Sequence, residues 1–189
     1  MGKRKKRAVP ARPAVEPAPL MRRVGAFLID WYVGALATAL PIAVIATQLG
    51  REMTDQNIAA YEGQWGLIAG LLGILFGVAY YALVPLLMHG QTLGKRVCHV
   101  RIVSKDGSDV SSLALLGRQV LGLMFIEGAS VGTSTVIWQV VHIVTGVNLL
   151  VYAMAVGTVV TLASIAMVGL TAQHRALHDV IFGTTVTDV

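Results

Sequence analysis

Arg23 and Asp30 stand seven residues apart in a stretch that is otherwise almost wholly apolar. On a helix that separation is two turns, so guanidinium and carboxyl share a face, with the carboxyl roughly 10 Å farther along the axis at 1.5 Å per residue. An ionised carboxylate facing lipid at that depth costs several kcal/mol. Asp30 is therefore expected to face a bundle interior, find a cation or become protonated. A group that alternates between a proton and a cation performs the chemistry of an exchanger. Arg23 and Arg118 are the cations expected to tune it, with Thr38 and Thr133 among the few oxygen ligands inside the apolar stretches.

Glu127 and His142 form a second candidate pair, a deeper proton or cation relay in which an imidazole titrates near neutrality. The plainer alternative puts Glu127 at an interface beside Gly128. Near the C-terminus, His178 and Asp179 lie in a short segment whose Ala176, Leu177, Val180 and Ile181 make an apolar edge suited to a membrane surface. Folded back, this segment would carry Asp179 beneath the mouth of a bundle, within reach of Arg23 and Arg118. Arginine and carboxylate form a strong, directional fork, so the cluster could equally serve to lock the segment onto the helices.

Such residues need elements to hold them, and the composition says of what kind. The chain has 189 residues, of which 55% are hydrophobic and 13% charged, against about 25% charged in soluble domains; its mean hydropathy is +0.69. The apolar residues fall into blocks that match transmembrane helices: spans are expected at 24–47, 65–88, 129–145 and 149–170, with an interfacial or half-inserted helix at 112–126. Cys98, Val100 and Ile102 alternate with His99 and Arg101 as a short strand ending at Lys105-Asp106-Gly107. The fold class is thus an all-α transmembrane bundle of about four spans with a small strand or hairpin. Gly66, Gly70, Gly73 and Gly77 make a smooth stripe on the second span, a candidate contact for an oligomer, and Trp65 with Tyr80-Tyr81 are candidate interfacial anchors.

Residues 1–19, with Lys3 to Arg7 consecutively basic and four prolines after them, read as a disordered cytoplasmic tail that meets anionic lipid headgroups. Ala37-Thr38-Ala39 resembles a leader cleavage site, but Asp30 and the continuing apolar run argue against cleavage. Fourteen of the fifteen Lys and Arg fall on one side of the expected spans and only Arg51 on the other. This asymmetry places both termini in the cytoplasm, although Arg175 alone marks the C-terminus, which leaves open a five-span arrangement with an external tail. The net charge of +5 is accounted for by these juxtamembrane positions, and no nucleic-acid partner is expected. A single cysteine and no His-Glu-x-x-His spacing imply no metal, no cofactor and no catalytic residues. Gly90 to Lys95 has a phosphate-loop look, yet Arg96 follows where Ser or Thr is needed.

Three segments, RRVGAFLIDW from Arg22, GQTLGKRVCHVRIVSKDG from Gly90 and RALHDVIFGTTV from Arg175, in that order and spacing, closely resemble the RDD family of bacterial membrane proteins over roughly residues 20–186. The arginine and two aspartates for which the family is named map onto Arg23, Asp30 and Asp179, and Arg118 sits where such proteins place another arginine. The resemblance implies a multi-pass protein of the bacterial plasma membrane and suggests transport, including exchange of sodium or potassium for protons. The residues themselves leave two functions open: a small transporter, as a homo-oligomer because four helices enclose little water, or a non-enzymatic accessory or scaffold subunit packed on another membrane protein.

Overall fold

The structure, a computed structural model, describes residues 15–128, 131–171 and 173–189. It is mostly helical, with three helices long and apolar enough to cross a membrane and a two-stranded sheet. In chain order these are α1 (Leu20–Gln48), α2 (Trp65–Leu87), α3 (Leu93–Val97), β1 (Val100–Ser104), α4 (Ser112–Ile126), α5 (Gly132–Thr145), α6 (Leu150–Leu170), α7 (Leu177–Ile181) and β2 (Thr184–Asp188). The end of the bundle where α1 begins and β2 finishes is called here the terminal end, the opposite one the loop end.

The residues that α1 buries are Ala26, Asp30, Gly34, Thr38, Ile42 and Ala46, one every fourth position. That spacing draws a single stripe along the helix, and all but Ile42 are small or polar. It faces the glycine stripe of α2, which the structure uses inside the chain rather than between copies. A Cβ on Gly73 would meet Ile42 and the Thr38 carbonyl, on Gly77 the hydroxyls of Thr38 and Thr133, and on Gly70 the side chains of Val140 and Ile58. Lipid offers no hydrophobic drive for helix association, so close backbone approach and dispersion have to supply it, and small residues permit that approach.

The expected third span is shorter than the sequence suggests. α5 has 14 residues, about 21 Å at 1.5 Å per residue against a hydrocarbon layer of about 30 Å; Ala129 and Ser130 lie outside the described residues. α4 packs one face into the bundle, where Arg118, Gln119, Gly122 and Met124 are buried. Its Met124 shares a cluster with Tyr80, Tyr81 and Val131. Thr133 of α5 then reaches Thr38 at mid-bundle, while Val140 and Ile143 reach Gly70 and Gly66 toward the loop end. The two pieces together carry the chain from the terminal end to the loop end. From Gly117 to Ile126 the helix is π-wound, as the Glu127 N–H bond to the Gly122 carbonyl shows, and α5 stops at the left-handed Gly146.

At the terminal end β1 and β2 pair antiparallel, Val100 opposite Asp188 and Ser104 opposite Thr184. Val15–Pro19, the described part of the expected tail, lies against β2: the Ala18 N–H donates to the Val186 carbonyl at 2.9 Å and Thr187 Oγ1 to the Glu16 carbonyl at 3.1 Å. Ala18, Ala26, Val100, Ile102, Leu115 and Val186 form a core under this sheet. The segment leading into α1 and the C-terminal strand are therefore tied into one cap over the helices, while the rest of the expected tail, residues 1–14, lies outside the described residues.

Gly77→Val should prevent tight packing of α1, α2 and α5, read as loss of a monodisperse, cooperatively melting species in detergent. Gly169→Ala, where an added Cβ meets nothing within 4 Å, should leave the melting temperature unchanged or slightly raised. Equal behaviour of the two variants would contradict the assigned packing.

Candidate functional site

Asp30 sits one turn from the start of the buried α1 stripe, where α3 crosses it. Gly94 permits the crossing, since a Cβ there would strike the Ala26 carbonyl and the Asp30 carboxylate. Asp30 Oδ1 accepts from Tyr80 Oη at 2.7 Å and from the Gly94 N–H at 2.8 Å, and Oδ2 accepts from Thr92 Oγ1 and, at 3.0 Å, from Lys95 Nζ. Tyr81 Oη donates to the Asp30 carbonyl at 3.0 Å. Asp30 is thus held by Lys95, and neither Arg23 nor Arg118 is its partner as expected. Tyr80 and Tyr81 are not interfacial anchors but buried donors, packed edge to face. Trp65, at the other end of α2, is exposed.

Arg23 and Arg118 converge instead on Asp179, which is fully buried at the start of α7. Asp179 Oδ1 accepts from Arg118 Nε at 2.8 Å and from Thr184 Oγ1 at 2.9 Å; Oδ2 accepts from the Ala176 N–H at 3.3 Å and from Arg23 at 3.4 Å. Arg175 adds a bond to the Asp179 carbonyl at 2.8 Å, and Arg23 also donates to the His174 carbonyl. Gln119 links this group to α2, accepting from Arg118 at 2.9 Å and donating to the Tyr81 carbonyl at 2.7 Å. One carboxylate thereby joins α1, α4, α7 and β2. Burial pushes its titration upward, but Arg118, His178 and Arg23 outweigh burial and hold the Asp179 carboxyl well below the usual range.

Glu127 and His142 are not brought together. Glu127, in the break between α4 and α5, accepts from Ser164 Oγ of α6 at 2.7 Å and the His178 N–H at 3.1 Å, and its carboxylate lies 2.8 Å from His178 Nδ1. His142 lines a shallow loop-end cavity with Asn57, Gln139 and Asn148. α5 carries His142 toward the loop end while Glu127 stays at the join with α4. Sequence reasoning missed Lys95, Thr92, Gly94, Tyr80 and Gln119 as members of the site. A signal was available for Lys95 and Thr92, which belong to the quoted GQTLGKR segment.

The RDD family model matches residues 17–183. The chain belongs to the RDD family. It is also 28% identical over 173 residues, 91% of this chain and 85% of the other, to the uncharacterized protein YckC of Bacillus subtilis (strain 168). No solved structure matches it. Family and apolar helices together make it a membrane protein.

Replacing Asp179 by Asn leaves two guanidiniums facing each other without a carboxylate, a loss of about 3 to 5 kcal/mol for a deeply buried pair. Asp30→Asn should cost less, because Lys95, with 14% of its side chain exposed, can swing toward water. Melting temperatures of the two variants in one detergent test the order.

The pH dependence has a definite sign. Folded Asp179 titrates below the roughly 3.9 of an unfolded aspartate, so the unfolded chain takes up the proton first. The stability this carboxylate contributes is complete above about pH 4 and is lost as pH falls through the folded value. Melting measured from pH 7 downward should decline below about pH 4, and Asp179→Asn should lack that component.

Proposed function

We propose that the chain is a non-enzymatic accessory or scaffold subunit of the bacterial plasma membrane, with its terminal end cytoplasmic, and not an exchanger working at Asp30. The observation that carries this reading is the saturation of both carboxylates. Asp30 and Asp179 each accept four hydrogen bonds from the chain's own donors. A carboxylate that cycles between a proton and a cation must release such donors at every turn, against the cost of leaving them unpaired in a poorly hydrated place.

The core toward the loop end supports the same conclusion. Beyond the hydrogen bond of 2.7 Å between Thr38 and Thr133 lie Ile42, Ala46, Ile58, Tyr61, Ala69 and Val136. These side chains separate the charged end from the loop end within one protomer, and a hydrated ion crossing there would lose its oxygen ligands. With the glycine stripe of α2 occupied internally, the side of α6 turned away from α1 is the surface offered to another membrane protein. The orientation rests on the fourteen basic residues expected on the terminal side.

Vesicles containing the purified protein should carry no sodium, potassium or proton flux under imposed gradients, and mass measurement after extraction in mild detergent should find a hetero-complex. Cation flux coupled to pH that Asp30→Asn abolishes in a folded protein would overturn the accessory reading. Reporter fusions between Gln48 and Gln64 and after Val189 should report opposite sides of the membrane.

A further inference from the structure

α6 packs on α5, α4 and α7 and is the least buried of the three long helices. Between it and α1 the structure leaves a cavity of about 460 Å³. Its walls are Val24, Phe27 and Leu28 on one side and Ile165 and Val168 on the other; Arg23 and Asp179 line it at the terminal end. In a bilayer such a space is filled by hydrocarbon or by protein. A helix about 10 Å across takes up roughly 420 Å³ per 5.4 Å turn, so the space would admit about one turn of a partner helix. An acyl chain, a single file of methylenes, is far slimmer than a helix and can thread between the apolar side chains of α1 and α6.

The charges at the terminal end select the headgroup. Lys95 is matched by Asp30, and even with Glu127 counted and His178 taken as neutral, the four cations Arg23, Arg118, Arg175 and Lys95 outnumber the three acids Asp30, Asp179 and Glu127. At Asp179, however, one carboxylate serves two guanidiniums, Arg118 at 2.8 Å and Arg23 at 3.4 Å, while Arg175 spends its donors on backbone carbonyls of Thr184 and Asp179. Positive charge is in surplus there. The Arg23 side chain is only 9% exposed and donates to two acceptors among the described residues, out of five N–H groups on a guanidinium. The remaining donors match the oxygens of a phosphate, which a planar guanidinium can grip with two parallel bonds.

We infer that this groove is a binding site for one anionic phospholipid, an acyl chain lying between α1 and α6 and the phosphate resting on Arg23. The inference does not depend on the accessory role, since a transporter could hold a lipid at the same place. Arg22, which is exposed and paired with Asp188 at the surface, takes no part in it.

The test is native mass spectrometry of the full chain released from nanodiscs of dioleoylphosphatidylglycerol, dioleoylphosphatidylcholine or a mixture. One phosphatidylglycerol per chain should be retained, in preference to phosphatidylcholine by about tenfold: both lipids bring a phosphate, but choline sets a further cation beside Arg23 and Arg118 and the glycerol headgroup does not. Ile165→Trp, at a position that is 60% exposed and so tolerant of the change, should fill the groove and reduce retention of either lipid about tenfold at an unchanged melting temperature. Arg23→Gln should abolish the preference for phosphatidylglycerol, and Arg22→Gln should keep it. Equal retention of the two lipids by the unmodified chain, retention that survives Ile165→Trp, or a protein chain cross-linked from Phe27→Cys in native membranes in place of lipid would each overturn the assignment.

Discussion

A carboxylate carried into a membrane helix or beneath its mouth has to bring its donors with it, because no water is there to supply them. For Asp30 they come from a tyrosine of α2 and from Thr92, Gly94 and Lys95 around the start of α3. The requirement shapes the fold on every side. α3 must lie against α1 closely enough for a backbone N–H to reach the carboxylate, which is why position 94 has no side chain. The strand that follows α3 then starts directly over the end of the bundle. The location of the cap is in this sense a consequence of one buried charge.

The second carboxylate closes the same structure from the other terminus. Asp179 receives Arg118 from the π-wound part of α4, and the odd winding there has a physical reading. Gly117 and Gly122 are in contact range of Phe182 and His178, so larger residues would push α7 away. A π-turn widens the helix and rotates successive side chains less than an α-turn does, which lets Arg118 and Gln119 act side by side, one on Asp179 and the other on Tyr81. The two acidic centres are thus bridged through Arg118, Gln119 and Tyr81, and an error in one displaces the other.

Sequence patterns revealed the helices with long apolar blocks and the identity of the charged residues, since both are properties of single segments. Pairing was legible only in part. The family resemblance put Arg23, Asp30, Asp179 and Arg118 together as a set, but which acid takes which cation depends on where α3 lands. Helical spacing alone favoured Arg23 for Asp30, since the two share a face; Lys95, 65 positions away in the chain, wins because α3 lies across α1. The glycine stripe was visible, yet a stripe of small residues is the same whether its neighbour belongs to the same chain or to another. β2 was missed although Thr184, Thr185, Val186 and Thr187 follow a turn glycine, the composition of a strand. A two-residue periodicity in so short a segment is hard to separate from the end of the preceding helix.

The unequal packing of the helices is where structure meets function. α1, α2 and α5 lock together through glycine, threonine and small side chains, and the charged cap rivets their terminal end. α6 carries a shorter stripe of small residues, Ala153, Gly157, Thr161 and Ser164, of which only Gly157 and Ser164 are buried. It is tied mainly near the cap, where Ser164 holds Glu127 and accepts from the Leu177 N–H, and where Thr161 donates to the Glu127 carbonyl. A long helix anchored over part of its length by a few polar bonds, with apolar residues on its remaining sides, can change its distance from α1 at little cost in protein contacts. The rigid part of the molecule therefore includes the acids that first suggest transport, while the adaptable part is an apolar helix beside surplus positive charge. Recognition by this chain, of lipid or of a neighbouring helix, is accordingly more at home along α6 than at either carboxylate.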